Sequence, residues 1–180
     1  MTELIQETAD DIQYLESISN ALDIALSEAD LAQIKEELMQ SGYIRRKHTK
    51  KKVKLTSKPM HYISSDGYDM YVGKNNLQNE ELTFSFANGN DWWFHAKGAP
   101  GSHVIVKSGG DELSDRTFEE AGRLAAYYSK NRGADKVEID YIQKKHVKKP
   151  NGAKPGFVVY YTNYSLVIDS DISNIKNVQD

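Results

Sequence analysis

The sequence predicts an α+β fold: a mixed, largely antiparallel sheet with one long helix across it, preceded by an N-terminal helical segment derived from a coiled coil. Three observations support this prediction. Apolar residues recur at helical spacing through the first 40 positions, a strongly capped helical pattern covers residues 117–131, and short strand-like runs separated by turns fill most of the remainder. Because strands and helices do not alternate regularly, parallel βαβ units are not expected.

Residues 1–42 are predicted to be an acidic helical segment from the end of a coiled-coil hairpin. A heptad repeat places a mostly apolar set of residues on one face: Ile5, Thr8, Ile12, Leu15, Ser19, Leu22, Leu26 and Ala29. Ser27 is suited to cap a second helix, which would run through Leu38 and end at Gly42. The apolar stripe needs a packing partner, and the candidates are the rest of this chain and an antiparallel helix outside it.

A basic connector follows over residues 43–58. It contains no acid and eight bases: Arg45, Arg46, Lys47, Lys50, Lys51, Lys52, Lys54 and Lys58. Such a run is either a solvated, partly flexible linker or a surface that attracts a polyanion.

Residues 59–180 are predicted to form the main domain, which begins with a hairpin. The Asp66-Gly67 step suits a tight turn between strands at 61–63 and 70–73. Residues 75–86 favour a helix with Leu77, Leu82 and Phe86 inward, and a strand is the alternative for its second half.

The second half of this domain is predicted to hold the centre of the sheet. Ser114 or Asp115 caps the long helix at residues 117–131, and Gly133 ends it. Buried strands are expected at residues 92–95, 103–106 and 137–142. Residues 157–161 and 165–168 are expected to form an antiparallel pair about a turn at residues 162–164.

Charge is distributed unevenly along the chain. The first 40 residues hold ten acids and one base, a net charge of −9, whereas the remainder holds 16 acids and 22 bases, a net charge of +6. A second basic cluster lies about a hundred residues after the connector and comprises Lys144, Lys145, Lys148, Lys149 and Lys154. Neutralised phosphates release counterions, so a basic body favours a polyanion as partner.

A merely solubilising loop would not need the stiffness that Pro150 and Pro155 impose, which favours anion recognition there.

The segment KGAPGS at residues 97–102 lies between two predicted strands. Its backbone N–H groups could bind an anion, with Lys97 and His103 adding positive charge, or it could form a tight turn that needs positive φ at a glycine. His95 and His103 bracket this segment. They are expected to hydrogen-bond the loop backbone or to face an RNA phosphate.

Enzymatic alternatives are weaker. Asp91, His95 and His103 could form a metal trio, but their spacing matches no usual ligand motif. A triad from Ser102, His103 and Asp111 would need a nucleophile and base adjacent in sequence, which is poor geometry. The chain has no cysteine and no P-loop or dinucleotide fingerprint. We therefore expect no catalytic activity, no metal and no cofactor.

Aromatic residues are numerous, with 11 Tyr and 2 Trp. Trp92 and Trp93 alternate across one strand, so one should lie in the core and the other should face outward or under a helix. Tyr160, Tyr161 and Tyr164 cluster at the predicted hairpin of residues 157–168. Exposed aromatics beside lysines can stack on unpaired bases, although most aromatics are expected in the core.

Four segments, in order along the chain, resemble the NFACT-R domain. Residues 91–104 (DWWFHAKGAPGSHV) are similar to its signature, and residues 72–80 (VGKNNLQNE) to its asparagine-rich segment. Residues 120–129 (EAGRLAAYYS) resemble its helix, and residues 147–156 (VKKPNGAKPG) its basic loop. Residues 1–42 resemble the end of the helical hairpin that precedes this domain in longer relatives.

This resemblance implies a family of ribosome-associated quality-control factors, which in bacteria are also known as fibronectin- or fibrinogen-binding proteins. It implies binding to the stalled large ribosomal subunit (rRNA) and to tRNA, in support of untemplated C-terminal alanine tailing of the nascent chain. A cytoplasmic location and no membrane partner are then expected, in keeping with the lack of a visible secretory signal or long apolar run. The alternative is an adhesin domain that binds fibronectin or fibrinogen after non-classical exposure at the cell surface.

The predicted RNA-binding residues come from the basic clusters and from the signature segment around its loop at residues 97–102, called the signature loop below. The loop lysines would contact phosphates, and the signature residues would line the neighbouring loop surface. The full set is Lys144, Lys145, Lys148, Lys149, Lys154, Lys97, His95, Ser102, His103, Arg45 and Arg46.

Overall fold

The computed structural model describes residues 2–46 and 56–178 and has the predicted α+β fold, with helices that precede an antiparallel sheet. The α-helices of the described residues are α1 (Glu3–Ile24), α2 (Glu28–Gln40), α3 (Asn76–Glu81) and α4 (Asp115–Tyr127). The strands are β1 (Met60–Ile63), β2 (Asp69–Val72), β3 (Trp92–Ala96), β4 (Val104–Val106), β5 (Val137–Gln143), β6 (Tyr164–Ile168) and β7 (Lys176–Val178). None of the helices in these ranges is long and apolar enough to cross a membrane.

The seven strands of the described residues form one sheet in the order β6-β5-β3-β4-β2-β1-β7, and each pairing is antiparallel. The predicted hairpin is confirmed, because Gly67 takes a φ of +88° in the turn between β1 and β2. The signature strand β3 is central, with Trp93 opposite Ile105 on one side and Ile142 on the other. The signature residues are therefore held on both sides by strand pairing.

Helix α4 crosses one face of the sheet. The Ser114 side chain accepts a hydrogen bond from Thr117 N at 3.3 Å, as the capping prediction requires. Gly122 permits the close approach of β6, since a Cβ there would lie 2.8 Å from Leu166 Cδ1. The helix ends at Tyr127, four residues before the predicted end. Backbone hydrogen bonds of the Tyr128–Lys130 stretch to the signature loop replace the last helical turn.

The prediction of a strand pair at residues 157–161 and 165–168 is wrong, because β6 pairs with β5 instead. Residues 157–161 follow Gly156, which has a φ of +82°, and Val159 forms an isolated backbone bridge with Lys148, which lies outside the strands. Val158 and Tyr160 pack on the buried cluster around Trp93, on the face of the sheet opposite α4. The Tyr160 hydroxyl donates to Asp140 Oδ2 at 2.7 Å. Packing on a sheet face therefore takes the place of edge pairing.

The predicted helix at residues 75–86 is confirmed, as α3 followed by a π-helical turn (Leu82–Phe86). Asn75 caps α3 by accepting from Gln78 N at 2.9 Å. Leu82 is buried as expected, but Phe86 is 41% exposed. The wider turn, closed by Ala87 N donating to Leu82 O, changes the direction of the last side chains.

The N-terminal helices dock on the sheet domain through a face other than the predicted heptad stripe. Tyr14, Ile18, Ala21 and Ile24 are buried, whereas the heptad residues are exposed: Ile5 55%, Ile12 53%, Leu15 44%, Leu22 49% and Leu26 83%. The described part of this chain is therefore not the packing partner of the heptad stripe. The predicted cap of α2 is confirmed, with Ser27 Oγ accepting from Asp30 N at 3.2 Å.

Candidate nucleic-acid interface

The acidic hairpin of α1 and α2 is joined to the sheet domain by a network of buried polar groups centred on Glu37. This carboxylate is fully buried and accepts hydrogen bonds from the Tyr14 hydroxyl (2.6 Å), Asn76 N (3.2 Å) and Asn76 Nδ2 (3.1 Å). Nearby, Lys74 Nζ lies 3.0 Å from the buried Asp30. Buried charge-assisted bonds of this kind are strong and directional. They fix the hairpin next to α3 and the basic loop.

Three of the predicted RNA-binding lysines form ion pairs within the chain. Lys97 Nζ lies 3.0 Å from Glu138 and Lys154 Nζ lies 2.8 Å from Asp11, and Lys149 pairs with Glu80. Because exposed ion pairs contribute little in water, these lysines remain able to exchange a carboxylate for a phosphate.

Lys154 connects the basic loop to the N-terminal hairpin. Its Nζ lies 4.6 Å from the centre of the Tyr14 ring and donates to the Tyr43 hydroxyl at 3.2 Å. Burial opposes the charge on Lys154, but the hydrogen bonds to Asp11 and Tyr43 outweigh it, so its pKa is raised. Tyr43 begins the basic connector. This contact brings the start of the connector beside the basic loop.

The other lysines of the second basic cluster, Lys144, Lys145 and Lys148, have no ion pair among the described residues. Lys145 and Lys148 are exposed, and Lys144 is half-buried with its Nζ 5.8 Å from the centre of the Phe84 ring. Backbone bonds hold this stretch in place, since Lys144 N donates to Asp91 O at 2.8 Å and Lys145 N to Gly89 O at 3.0 Å. The three charges are thus presented from a fixed backbone.

The basic connector is only partly described. Arg45 and Arg46 are exposed after α2, and Arg46 lies 3.0 Å from Glu36. Lys47, Lys50, Lys51, Lys52 and Lys54 lie outside the described residues.

Two signature residues do not lie on the loop surface, contrary to prediction. Ser102 and His103 are each 2% exposed. Their backbones run into the central strand β4, which α4 covers on one face and α3 with the π-helical turn on the other. His103 Nδ1 and Thr83 Oγ1 are hydrogen-bonded at 2.8 Å, and His103 N donates to Asn79 Oδ1 at 3.1 Å. Lys97 is exposed and His95 is half-buried, so of the four predicted signature residues these two reach the surface near the loop.

Both histidines are uncharged near neutral pH. Burial, together with the nearby His95, lowers the pKa of His103 to about 3. Burial likewise lowers the pKa of His95, although hydrogen bonds to the backbone of Gly101 and Ala96 act in the opposite direction. The expected positive charge from His103 at this loop is therefore absent. Here histidine supplies hydrogen bonds and ring surface instead.

The buried His103 predicts a pH-dependent stability. The unfolded chain takes up a proton on this residue near pH 6.5, whereas the folded chain does so only near pH 3. The stabilisation is therefore complete above pH 6.5 and is lost as the pH falls. We expect His103 to account for a loss of about 2 kcal/mol in the free energy of unfolding between pH 6.5 and pH 5. Urea unfolding of wild type and His103→Gln at both pH values measures it.

The exposed His146 provides the control for this measurement. His103→Gln should lose about that 2 kcal/mol difference, and His146→Gln gives the effect of the same substitution at an exposed position. Equal pH dependence in wild type and His103→Gln would contradict the assignment of a buried neutral imidazole.

The structure does not assemble either alternative catalytic set. Asp91 is buried and bound to Lys107 at 2.6 Å, away from the two histidines of the proposed metal trio. Asp111 accepts from the Tyr68 hydroxyl at 3.1 Å and does not contact His103. Within residues 2–46 and 56–178, no group of three His, Asp or Glu side chains is placed to hold a metal ion.

Both predictions for the tryptophans are confirmed. Trp93 is fully buried, and Trp92 lies under α4, with its ring centre 4.9 Å from that of Phe118. Tyr161 and Tyr164 are 75% and 59% exposed. These two tyrosines are thus the aromatic residues of the predicted cluster that are most available for stacking.

A cavity of about 410 Å³ lies between the hairpin and the signature loop, and the site prediction did not include it. Its walls come from α1, α3, β3, the loop at residues 98–101, His103 just before β4, and residues 156–160. The only sequence signal was that the asparagine-rich segment, the signature and the basic loop all carry motifs of the same family. Spacing along the chain does not reveal that these three motifs meet.

Comparison with known proteins identifies the chain's relatives. The profile of the NFACT protein RNA binding domain matches residues 58–162, and that of the NFACT N-terminal and middle domains matches residues 1–57. The four motifs that resemble NFACT-R all lie within the first of these ranges, so the predicted resemblance is confirmed.

Full-length relatives are similar over nearly the whole chain. The Rqc2 homolog RqcH of Streptococcus pneumoniae serotype 2 (strain D39 / NCTC 7466) is 44% identical over 180 residues, which cover 99% of this chain and 32% of the relative. The Rqc2 homolog RqcH of Bacillus subtilis (strain 168) is 39% identical over 178 residues, 96% of this chain and 30% of the relative. The chain thus spans about a third of the length of these relatives.

A solved structure has the same fold. It is the C-terminal part of the fibronectin/fibrinogen-binding protein from Streptococcus suis (FBPS), with a TM-score of 0.88 and 43% identity. The match covers 96% of this chain and 70% of that one.

Proposed function

Because this chain belongs to the NFACT family and carries its RNA-binding domain, we propose that it is the RNA- and ribosome-binding part of a ribosome-associated quality-control factor. In this proposal it binds stalled large ribosomal subunits and tRNA and supports C-terminal alanine tailing of the nascent chain. The observation that carries the proposal is the lysine stretch at residues 144–149, which contains no acid and is held by backbone bonds to Gly89 and Asp91, just before β3, and to Val159. Phosphate contacts from such a stretch position RNA without reading its sequence.

We further propose that this part of the protein binds and does not catalyse. Supporting this, the described residues assemble neither the serine triad nor the metal trio that an enzymatic role would use. A ribosomal partner would place the protein in the cytoplasm.

A second candidate function is binding of fibronectin or fibrinogen. The observation that favours it is the likeness to the Streptococcus suis structure, which comes from a protein described as fibronectin/fibrinogen-binding. Under this alternative, the exposed edge strand β6 with Tyr164 and Val167 is a suitable contact surface, since edge strands pair readily with extended segments.

Binding measurements at two salt concentrations separate these candidates. The chain would be titrated with purified large ribosomal subunits, with tRNA and with fibronectin, each at low and near-physiological salt. We expect saturable binding to subunits and tRNA that weakens steeply with salt, because several phosphate contacts would be broken. Tight fibronectin binding that survives salt, without RNA binding, would instead support the alternative.

A further inference from the structure

The cavity next to the signature loop has flat, aromatic walls. Trp93 and His95 of β3 stack with ring centres 5.7 Å apart, and Tyr160 packs on Trp93 at 4.9 Å. Phe157 and the α1 residue Gln13 also line the cavity. The volume of about 410 Å³ falls within the usual range of small-molecule sites. Such a space suits a planar group.

Hydrogen-bond donors around this cavity lack acceptors. Trp93 is fully buried, yet its indole Nε1–H has no acceptor among the described residues. The backbone N–H groups of Gly98, Ala99 and Gly101, which also line the cavity, donate to no described group. A buried N–H without an acceptor is rare in native proteins. The buried indole N–H therefore points to a ligand that carries an acceptor atom, and the loop N–H groups, which are not buried, are available to the same ligand.

The cavity is not built for an anion or a cation. Within residues 2–46 and 56–178, no lysine or arginine lines it, and both of its histidines have lowered pKa values and are neutral. Of the ionisable groups in the lining, the exposed Glu16 at the rim carries the charge. A bound group should thus be neutral, planar and rich in acceptors, which describes a nucleobase better than a phosphate.

Lysines flank the cavity on the outside. Lys97 precedes Gly98 in the loop, Lys149 is paired with Glu80 next to Asn79, and Lys154 lies two residues before Gly156. A nucleotide whose base entered the cavity would have its phosphates near these charges. Aromatic walls with a basic rim are the usual arrangement for unpaired nucleic acid.

We propose that this cavity binds a single unpaired base of RNA, with the Trp93 indole N–H and the loop backbone as hydrogen-bond donors to that base. The proposal rests on the proposed RNA-binding function and deepens it by naming a base-binding subsite. It makes the signature segment a base pocket and leaves phosphate binding to the lysines.

The first test uses the four ribonucleosides, which carry no phosphate. In a two-dimensional ¹H–¹⁵N spectrum, the chain gives two indole N–H signals, and Trp92→Phe assigns them. At millimolar concentration, at least one nucleoside should shift the Trp93 signal and leave that of Trp92 in place. If all four nucleosides leave the Trp93 signal unmoved, the base pocket is refuted.

The second test compares RNA hexanucleotides with hexamers of the same backbone that lack bases. The intact hexamer should bind roughly tenfold more tightly, as expected for one stacked and hydrogen-bonded base. His95→Phe keeps a ring beside Trp93 but removes the ring nitrogens that hydrogen-bond the backbone of Gly101 and Ala96, so the loop donors lose their position and only binding of the intact hexamer should weaken. The matched control is His61→Phe, because His61 also stacks on an aromatic ring, that of Tyr71 at 4.4 Å, but lies on β1.

The outcomes separate this proposal from the general RNA-binding function. Equal binding of intact and base-free hexamers would overturn the base pocket and leave the RNA-binding function standing. A nucleoside-induced shift of Trp93 without binding of any hexamer would support the pocket and count against RNA as the partner.

Discussion

Replacing both Lys148 and Lys149 with glutamate is expected to weaken RNA binding by roughly 10- to 100-fold at low salt, the scale of losing two phosphate contacts and adding repulsion. Lys148 is exposed, and Lys149 is held only by a partly exposed pair with Glu80. The slope of log affinity against log salt should fall by about 2, because each lost phosphate contact releases about one counterion fewer. Titration of tRNA and large subunits across a salt series measures both quantities.

The control for this variant makes the same change of net charge at two lysines outside the second basic cluster. Lys136 and Lys176 are exposed, with Lys136 just before the other end of β5 and Lys176 on the opposite edge strand β7. The double variant Lys136→Glu, Lys176→Glu should lower RNA affinity only through the overall electrostatic field of the protein. If the two double variants bind RNA equally, the basic loop is not the phosphate contact and the proposed site is wrong.

Replacing Glu37 with alanine is expected to lower the free energy of unfolding by about 3 kcal/mol, the scale of losing buried charge-assisted hydrogen bonds and leaving a donor unsatisfied. Tyr14 and Asn76 Nδ2 keep second partners, Ser41 and Ser17, but Asn76 N would lose its acceptor. Urea unfolding followed by circular dichroism measures the change. Amide exchange would show whether the hairpin loosens first.

Glu36→Ala is the matched control. Glu36 is the neighbouring residue on α2, and its partner Arg46 is 53% exposed at the side chain. Loss of such a surface pair should change the stability by no more than about 0.5 kcal/mol. If Glu37→Ala is as stable as Glu36→Ala, the buried carboxylate does not hold the hairpin to the sheet domain.

Elements with a strong local signal could be predicted from the sequence. The cap at Ser114, the cap at Ser27 and the Asp66-Gly67 turn each depend on contacts within four residues, so neighbours along the chain determine them. The segment at residues 157–161 has equally good strand propensity, yet it packs on Trp93 and Asp140. Its conformation depends on contacts about 20 or more residues away, which propensity does not describe.

The candidate site could be predicted in composition but not in arrangement. The lysines at residues 144–154 were found because charge clusters are visible in sequence. Their pairing with Asp11 and Glu80 was not, because these acids lie 143 and 69 residues away along the chain. His103 was placed on the surface because it neighbours a glycine-rich loop. In fact it directly precedes the central strand β4 and is covered by α3 and the π-helical turn.

The sequence by itself determined the α+β class, the segregation of acidic helices from a basic body, and the family, because periodicity, net charge and motif identity are properties of consecutive residues. Only the tertiary structure decided which lysines are unpaired, that both histidines are neutral, and that three motifs enclose one cavity. Burial and pairing depend on which segments meet in space. That is set by the packing of the hairpin, α3 and the basic loop against the sheet, and not by their order along the chain.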